Sequence, residues 1–487
     1  MANNGTTNKA RKVFISVLGA GYYGECQYCR GELDSVTGKY KFESTNTRFV
    51  QQATLEYLNV VEDWKENDVI LIALTKKARI DNWEVVDNDG NNRRMNPRTQ
   101  QKEDYIGLKQ IISRMKLKCK VEEVDIPDGK DETEMWEVFS NLYEKFEVGD
   151  EFYIDLTHSF RYLPMLLLVL SNYSKTLKKV SVRHISYGNY EARDQSVIPN
   201  KAQLMDILPL SKLQDWTYAA TDLIKNGNAN RLVSLSNSNS LTPFLRSMGK
   251  NSEERKPIED SFNGYVKTLQ KLISDLKLCQ GPDLLNGTSI YDYAEQYNKV
   301  KKLLPQYIKD PSKKNKGVIS PIPPIIENIH QTFSDWETTA TNKETIITKD
   351  GKKKKEEIKW TWKTDKEKIG IRNGYKAAKW CYDYQLYQQA ITILRENITT
   401  ELCVIMELDY TKRKNRDYAS GIITGYNSGE LKGDVKCFRD IFNQIVNEVK
   451  DIRDAYNHAC MDKTLNSDSI DKIGKLIETC LKRTDGL

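Results

Sequence analysis

The sequence predicts an α/β domain with a parallel, doubly wound sheet, followed by an all-helical domain. Short apolar segments alternate with amphipathic helical segments up to residue 210, and this β-α-β order is typical of a parallel sheet with helices on both faces. After Pro209 the strand pattern stops, and the remaining segments have the spacing of packed helices. We therefore predict a sheet domain at 1–210, a helical linker with a lysine-rich insertion at 211–365, and a helical core at 366–487.

The composition indicates a chain with a sizeable core and no membrane segment. It has 487 residues, of which 39% are hydrophobic and 29% are charged. No apolar run reaches the roughly 18 residues of a transmembrane helix, and Met1–Arg11 is polar, unlike a signal peptide. Nine cysteines, an odd and scattered set, predict a reducing, cytoplasmic compartment. The net charge of +6 permits a nucleotide or RNA partner.

In the first domain, strands are predicted from short apolar runs and helices from apolar residues spaced three and four apart. The predicted strands are Lys12–Leu18, Val69–Leu74, Lys120–Ile126, Phe152–Leu156 and Lys179–Ile185. The predicted helices are Arg48–Trp64, Asp104–Lys116, Asp131–Phe146 and Arg161–Leu177. Asp131 and Glu134 are spaced as a capping box at the start of the third of these helices.

A glycine-rich segment, Gly19–Gly24, follows the first strand and formally satisfies the G-x-G-x-x-G dinucleotide fingerprint. That fingerprint needs a helix at its last glycine, and Glu25–Tyr40 has no apolar helical period. We predict a loop that lets the backbone approach a phosphate, with a dinucleotide site as the alternative. Cys26 and Cys29 form a lone C-x-x-C without a second ligand pair, so we predict ordinary thiols and no metal site.

A second polar segment follows the strand Phe152–Leu156. Thr157, His158 and Ser159 come directly after it, and Arg161 opens the next helix. Free N–H groups at a helix start, together with a guanidinium, favour an anionic ligand; an ordinary polar strand-to-helix turn is the alternative. Ligands bind beyond the carboxyl ends of parallel strands, so this segment, Gly19–Gly24 and Ser186–Tyr190 are predicted to lie at one edge of the sheet.

Asp155–Pro164 reads Asp-Leu-Thr-His-Ser-Phe-Arg-Tyr-Leu-Pro and resembles the signature of CARF domains, the Rossmann-like sensors of type III CRISPR ancillary proteins. Val13–Gly21, Tyr40–Phe42 and the Tyr187-Gly188 pair also resemble family features. The resemblance implies a dimeric domain that binds cyclic oligoadenylate, and four adenylates are expected rather than six. It implies ligand contacts at Gly19, Gly21, Tyr22, Thr157, His158, Ser159, Arg161, Tyr187 and Gly188.

The helical half contains eight predicted helices separated by polar loops. The helices are Ser211–Lys225, Glu254–Lys277, Tyr291–Leu304, Pro324–Trp336, Lys366–Tyr384, Gln388–Leu408, Val435–Ala459 and Asp468–Lys482. The predicted loops are Ser234–Ser240, Asp310–Gly317 and Thr338–Lys359. The lysine run at Lys352–Lys355 predicts a solvated segment, with attraction of RNA as the alternative.

Near the end of one predicted helix stands Arg453-Asp454-Ala455-Tyr456-Asn457-His458. This segment resembles the Arg, four to six residues, His motif of HEPN domains, and Gln388–Ala390 with Glu396 is similar to the upstream helix of that family. The resemblance implies catalytic residues at Arg453, Asp454, Asn457 and His458 and a composite site in a dimer.

These residue types suit RNA cleavage without a metal, in which the 2′-hydroxyl attacks its own phosphorus. His458 can carry a proton near neutral pH, and Arg453 can hold the phosphoryl oxygens. Asp454 and His458 are four residues apart, so the carboxylate can orient the imidazole. Arg453 and His458 diverge by about 140° on one helix, and a second copy across a two-fold axis can complete the site.

Together these observations predict a metal-independent, single-stranded-RNA endoribonuclease in antiviral defence, activated by cyclic oligoadenylate and working without a cofactor. Its expected state is a homodimer or a higher oligomer, with no membrane contact. Two alternatives remain open: a nucleotide-responsive regulatory protein, and a HEPN nucleotidyl-transferring toxin with Tyr456 as acceptor. Ring degradation at Thr157 and His158 is a further option for the sensor.

Overall fold

The computed structural model describes residues 10–157, 162–237, 241, 255–285, 287–309, 322–336, 365–423, 448–458, 461, 465 and 467–485. The chain separates into two compact units, Met1–Ser211 and Lys212–Leu487. Within the described residues, no helix is both long enough and apolar enough to span a bilayer.

The first unit is built on one large sheet with helices packed on its faces. The strands of the unit are β1 Lys12–Leu18, β2 Cys26–Leu33, β3 Tyr40–Thr47, β4 Val69–Leu74, β5 Arg93–Met95, β6 Lys102–Asp104, β7 Lys120–Asp125, β8 Glu151–Asp155, β9 Ser181–Gly188 and β10 Lys201–Asp206. Its helices are α1 Val50–Tyr57, α2 Val60–Asp63, α3 Lys76–Ala78, α4 Leu108–Arg114, α5 Glu132–Tyr143 and α6 Leu163–Leu177. The order of strands in the large sheet is β3-β2-β10-β9-β8-β1-β4-β7, and β5 pairs with β6 in a separate hairpin.

Five neighbouring strands, from β9 to β7, run parallel and correspond to the five strands predicted from the sequence. β1 and β4 begin and end at the predicted residues. Every residue of β4 is buried, which explains its continuous apolar run, because a parallel strand inside a sheet is covered on both faces. The predicted α/β core is confirmed.

The other three strands make the sheet mixed, so the prediction of a wholly parallel sheet was wrong. β10 runs antiparallel to β9, β2 runs parallel to β10, and β3 runs antiparallel to β2. β3 is a polar edge strand with most of its side chains at least partly exposed, and the β2–β3 pairing contains register shifts. Such a strand lacks the apolar signature that the prediction used. The segment after Gly24 is nevertheless not a helix, as predicted, because it forms β2.

Two predicted helices have different bounds in the structure. The segment Arg48–Trp64 forms two short helices, α1 and α2, because Asn59 between them adopts a left-handed φ of 50°, a conformation that asparagine tolerates. The helix expected from Asp104 starts only at Leu108, since Lys102–Asp104 is strand β6.

The capping box at the start of α5 is confirmed. The Asp131 carboxylate accepts a hydrogen bond from the Glu134 N–H at 2.9 Å, and Glu134 accepts one from the Lys130 N–H at 2.8 Å.

In the second unit, all secondary structure that the structure describes is helical, as predicted. The helices are α7 Leu208–Asn226, α8 Asn230–Asn237, α9 Arg255–Lys277, α10 Gly281–Leu285, α11 Thr288–Lys309, α12 Ile322–Gln331, α13 Asp365–Asp383, α14 Tyr387–Ile405, α15 Arg413–Ile423, α16 at 448–457 and α17 Ser467–Asp485. They share one core, in which Tyr293, Tyr375 and Leu394 are fully buried.

The loop predicted at Ser234–Ser240 was wrong over its first part, because α8 continues to Asn237. The loops at Asp310–Gly317 and Thr338–Lys359, and with them the lysine run, lie outside the described residues. Of the long helix predicted at Val435–Ala459, the described part is α16.

Candidate functional site

The glycine loop, Gly19–Gly24, is held in place through its carbonyl oxygens. Asn82 donates both hydrogens of its amide, to the Gly19 oxygen at 2.7 Å and to the Gly21 oxygen at 2.8 Å. Arg94 donates to the Ala20 and Gly21 oxygens, at 2.9 Å each. Side chains from outside the loop therefore set its backbone geometry.

Asn82 is buried and uses its full hydrogen-bonding capacity. Its amide oxygen accepts from Arg94 at 2.6 Å and from the Tyr105 hydroxyl at 2.8 Å. It stands on a π-helical turn, Arg79–Trp83, which continues α3, and π-helical turns are frequent at functional sites. The sequence analysis missed Asn82 and Arg94, because neither lies in a motif and Arg94 comes from the β5–β6 hairpin.

Two guanidinium groups lie beside the aromatic rings at the loop. The Tyr22 and Tyr105 rings are 5.3 Å apart. Arg48 and Arg94 lie over the Tyr105 ring at 4.9 and 5.3 Å from its centroid, and over the Tyr22 ring at 5.8 and 5.6 Å. The predicted site residue Tyr22 is half-buried, and its hydroxyl donates to Glu103 at 2.6 Å. This arrangement places two guanidinium groups beside the glycine loop, Arg48 paired with Glu25 and Arg94 with Asp81 at 3.4 Å each.

Thr157 joins three strands at their carboxyl ends. Its hydroxyl donates to the Asp155 carboxylate on β8 at 2.6 Å and accepts from the Gly188 N–H on β9 at 2.8 Å. The other oxygen of Asp155 accepts from Ser16 on β1 at 2.8 Å. Because both functions of the Thr157 hydroxyl are used, this side chain positions the backbone around it.

Asp155 is a buried carboxyl group, 1% exposed. Burial raises its pKa to about 6, while the hydrogen bonds from Thr157 and Ser16 oppose that rise. The sequence analysis treated Asp155 as part of a motif and did not identify its role beneath the site.

The remaining predicted ligand residues differ in their burial, and three of them lie outside the described residues. Gly188 is buried, and a Cβ there would approach Val50 to 2.5 Å and Tyr28 to 2.8 Å, so only glycine fits. Gly21 is exposed and Tyr187 is half-buried. His158, Ser159 and Arg161 lie outside the described residues. The structure thus brings Thr157 and Gly188 together at the predicted edge.

The C-x-x-C pair lies on β2, and both thiols are buried. Burial raises the pKa of Cys26 and of Cys29 to about 11. In the part of the chain that the structure describes, no group of three or more histidine, cysteine, aspartate or glutamate side chains is arranged to hold a metal ion.

The predicted catalytic residues all lie on or directly after α16. Val449, Ile452 and Ala455 of this helix are buried. Arg453 and Asp454 are half-buried, and Asn457 and His458 are exposed. Arg453 donates to the Asp454 carboxylate at 2.9 Å. The observed partner of Asp454 is therefore Arg453, whereas the sequence analysis had expected the His458 imidazole.

Two further arginines, neither of them predicted from the sequence, lie on α14 and α15, and one of them, Arg395, is near Arg453. Arg416 on α15 donates to Glu396 on α14 at 2.7 Å and to the Thr400 hydroxyl at 2.9 Å. Arg395 pairs with Glu396 at 3.2 Å. Burial lowers the pKa of Arg395, and the charge of Arg453 lowers it further. Both arginines stand outside any recognisable motif, and only the packing of α14 and α15 reveals them.

Comparison with known proteins bears on the first unit. Residues 13–191 match the family model described as "CRISPR system endoribonuclease Csx1, CARF domain". The chain is also 23% identical over 349 residues to the CRISPR-associated protein MJ1674 of Methanocaldococcus jannaschii. The aligned region covers 71% of this chain and 43% of that protein. The chain thus spans less than half the length of this relative. Residues 13–191 are therefore similar to CARF domains of the Csx1 type, and most of the chain is similar to part of a CRISPR-associated protein.

Proposed function

We propose that this chain is a type III CRISPR ancillary endoribonuclease that is activated by cyclic oligoadenylate. One observation carries the proposal: an exposed His458 directly follows the helix that bears the Arg453–Asp454 pair, in a chain whose residues 13–191 match a CARF domain. A proton carrier and a fixed cation are the two groups that metal-independent RNA cleavage requires.

The proposed reaction is an attack by the RNA 2′-oxygen on the adjacent phosphorus. The 2′-hydroxyl gives its proton to the His458 imidazole as the new 2′-O–P bond forms, the P–O5′ bond breaks, and the 5′-oxygen takes up a proton from the imidazolium. His458 is exposed, so RNA can reach its imidazole for proton transfer. Arg453 stabilises the charge on the phosphoryl oxygens, and Asp454 orients Arg453. Asn457 is exposed on the same helix end and can donate a hydrogen bond to the RNA. No metal takes part in this proposed mechanism.

The proposed activator site is the edge formed by Gly19, Gly21, Tyr22, Thr157, Tyr187 and Gly188, completed by His158, Ser159 and Arg161. Arg48 and Arg94 lie near the glycine loop, where they pair with Glu25 and Asp81 at 3.4 Å each, and their guanidinium groups support a ligand that carries phosphates. A ring of four adenylates is our preferred ligand.

We propose a second copy of the chain as the partner in a homodimer. Met165, Val169, Tyr173 and Leu177 recur every four residues on α6 and are between 45% and 67% exposed. Trp136 on α5, 61% exposed, extends this apolar surface through Phe139, which contacts both Trp136 and Tyr173. A ring with an even number of units fits a two-fold axis, and ring binding would favour the subunit arrangement that pairs two copies of Arg453 and His458.

The toxin alternative receives less support. It requires Tyr456 to accept a nucleotide, and Tyr456 is partly buried against the helical core.

The decisive experiment is cleavage of a fluorogenic single-stranded RNA in EDTA, with no activator, with cyclic tetra-adenylate or with cyclic hexa-adenylate. We expect cutting with the four-membered ring and none with His458→Ala. If the wild-type protein cleaves no RNA with either ring, the proposed nuclease activity is rejected. If His458→Ala cleaves RNA as fast as the wild type, the proposed catalytic role of His458 is rejected.

A further inference from the structure

Two adjoining cavities lie on α14 of the second unit, next to the helix with the predicted catalytic residues. The larger, which we call the base cavity, has a volume of about 380 Å³. The smaller, which we call the arginine cavity, has a volume of about 280 Å³. Glu396, Thr411 and Arg416 line both cavities, which therefore adjoin each other, and we call the two together the groove.

We propose that this groove holds one nucleotide of the RNA substrate, with its base and ribose in the base cavity and its phosphate in the arginine cavity. The inference rests on the proposed ribonuclease function and names the subsite that positions the RNA for it.

The base cavity has the chemistry of a nucleobase site. Leu284, Leu285 and Ile393 supply apolar walls. Its volume is within the range of about 300–1,000 Å³ that small-ligand pockets have. Asn397 also lines it and is 2% exposed. Its amide nitrogen donates to the Ile371 oxygen at 2.8 Å, while its amide oxygen has no hydrogen-bond partner among the described residues. An apolar slot with a buried amide is suited to stacking and hydrogen bonding with a base.

The arginine cavity has the chemistry of a phosphate site. Arg395, Arg413 and Arg416 line it, against the carboxylates of Glu396 and Asp417, so positive charges outnumber negative ones. Arg416 already uses both terminal nitrogens of its guanidinium in hydrogen bonds to Glu396, Thr400 and the Tyr410 oxygen, so it forms a fixed wall of the cavity. The phosphate contacts are left to Arg395 and Arg413, and arginine binds phosphate through two parallel N–H donors.

The position of the groove connects it to the proposed chemistry. Arg395 lies near Arg453, whose charge lowers the pKa of Arg395 after the larger effect of burial, while the carboxylates of Glu396 and Asp454 raise it. Neighbouring cations are stabilised further by an added anion beside them. A phosphate at Arg395 would therefore be a near neighbour of the phosphate at Arg453, as consecutive phosphates of one RNA strand are.

The test measures RNA binding apart from cleavage, in the full chain carrying His458→Ala, with saturating cyclic tetra-adenylate. Arg395→Ala should weaken binding of a labelled single-stranded RNA about tenfold, the loss of one charge-assisted contact, and should reduce the slope of log affinity against log salt by about 0.7. Thr392→Trp, which fills the base cavity from its wall, should weaken binding without changing that slope.

Matched controls make the result specific. Lys299→Ala removes an exposed positive charge on α11, where Lys299 pairs with Glu295 at 3.1 Å, and should leave RNA affinity unchanged. Thr392→Ser keeps the cavity open and should bind as the parent does. Thermal unfolding of each variant confirms that it is folded.

Several outcomes would overturn the inference. Unchanged affinity in folded Arg395→Ala and Thr392→Trp would do so, and so would an equal loss in Lys299→Ala. Competition by a free nucleoside monophosphate at the same concentration as the RNA would assign the groove to a free nucleotide instead. Absence of both RNA binding and cleavage in the otherwise wild-type chain would reject the proposed function itself, a result distinct from any effect confined to the groove variants.

Discussion

Replacing Thr157 with valine removes a hydroxyl that links the Asp155 carboxylate on β8 to the Gly188 N–H on β9. Valine has nearly the same shape, so packing changes little. The Asp155 carboxylate loses its 2.6 Å donor, and the Gly188 N–H loses its 2.8 Å acceptor. The variant therefore isolates the energetic contribution of two hydrogen bonds.

The expected loss of stability can be worked out from these contacts. A hydrogen bond to a charged group contributes about 1.5–3 kcal/mol, and an ordinary one contributes about 1 kcal/mol. We expect the opening free energy of this edge to fall by about 2–4 kcal/mol. The pKa of Asp155 is raised to about 6, so the carboxyl is charged above that pH and neutral below it. Thr157→Val should therefore cost more at pH 7.5 than at pH 5.

Hydrogen exchange of the β1 and β8 amides in the full chain measures this opening free energy locally. Thr157→Ser keeps the hydroxyl and is the matched control, expected within about 0.5 kcal/mol of the wild type. Equal protection in the valine and serine variants, or a penalty that grows on acidification, would refute the reasoning.

Three further predictions concern the same unit. Asp155→Asn removes a carboxyl group whose pKa is raised from 3.8 to about 6 in the folded protein. The neutral carboxyl contributes stability to the wild type that is fully present below pH 3.8 and is lost as the pH rises through 6. The free energy of unfolding of the variant, relative to that of the wild type, should therefore rise by about 3 kcal/mol between pH 4 and pH 8. Free energies of urea unfolding that change with pH in the same way in both proteins would contradict this. Arg94→Ala removes two hydrogen bonds to the glycine loop and should raise the activator concentration for half-maximal RNA cleavage about tenfold. Replacing the exposed Arg93 with alanine should leave that concentration unchanged. The same activator concentration in both variants would exclude the loop from ligand binding. Arg161→Ala should raise the required dose while leaving the rate at saturating activator unchanged, and an unaltered dose response would remove Arg161 from the sensor site.

The sequence predicted the buried part of the first unit well and its periphery poorly. β1 and β4 carry continuous apolar runs because the sheet covers them on both faces. β2, β3 and β10 are polar or irregular strands on one side of the sheet, where the pairing partner rather than the side-chain pattern decides the structure.

In the candidate sites as well, residues next to a strand could be predicted from the sequence, whereas residues that reach the site from distant segments could not. Thr157 comes two residues after β8 and Gly188 is the last residue of β9, so the order of the strands predicts that they meet. Asn82 and Arg94 reach the glycine loop from 61 to 74 residues away in the chain, and no local pattern reports such a contact. Arg416 similarly comes from a polar segment in which no helix had been predicted.

The edges of the large sheet determine how copies of this protein can associate. At one edge, β7 carries Glu122, Glu123 and Asp125, which are engaged by Lys145 and Arg79. At the other edge, β3 carries Glu43, which pairs with Lys201, and its pairing with β2 is irregular. Charged and irregular edge strands resist the addition of a strand from another molecule. Continuation of the sheet from one copy of the chain to another is therefore disfavoured at both edges.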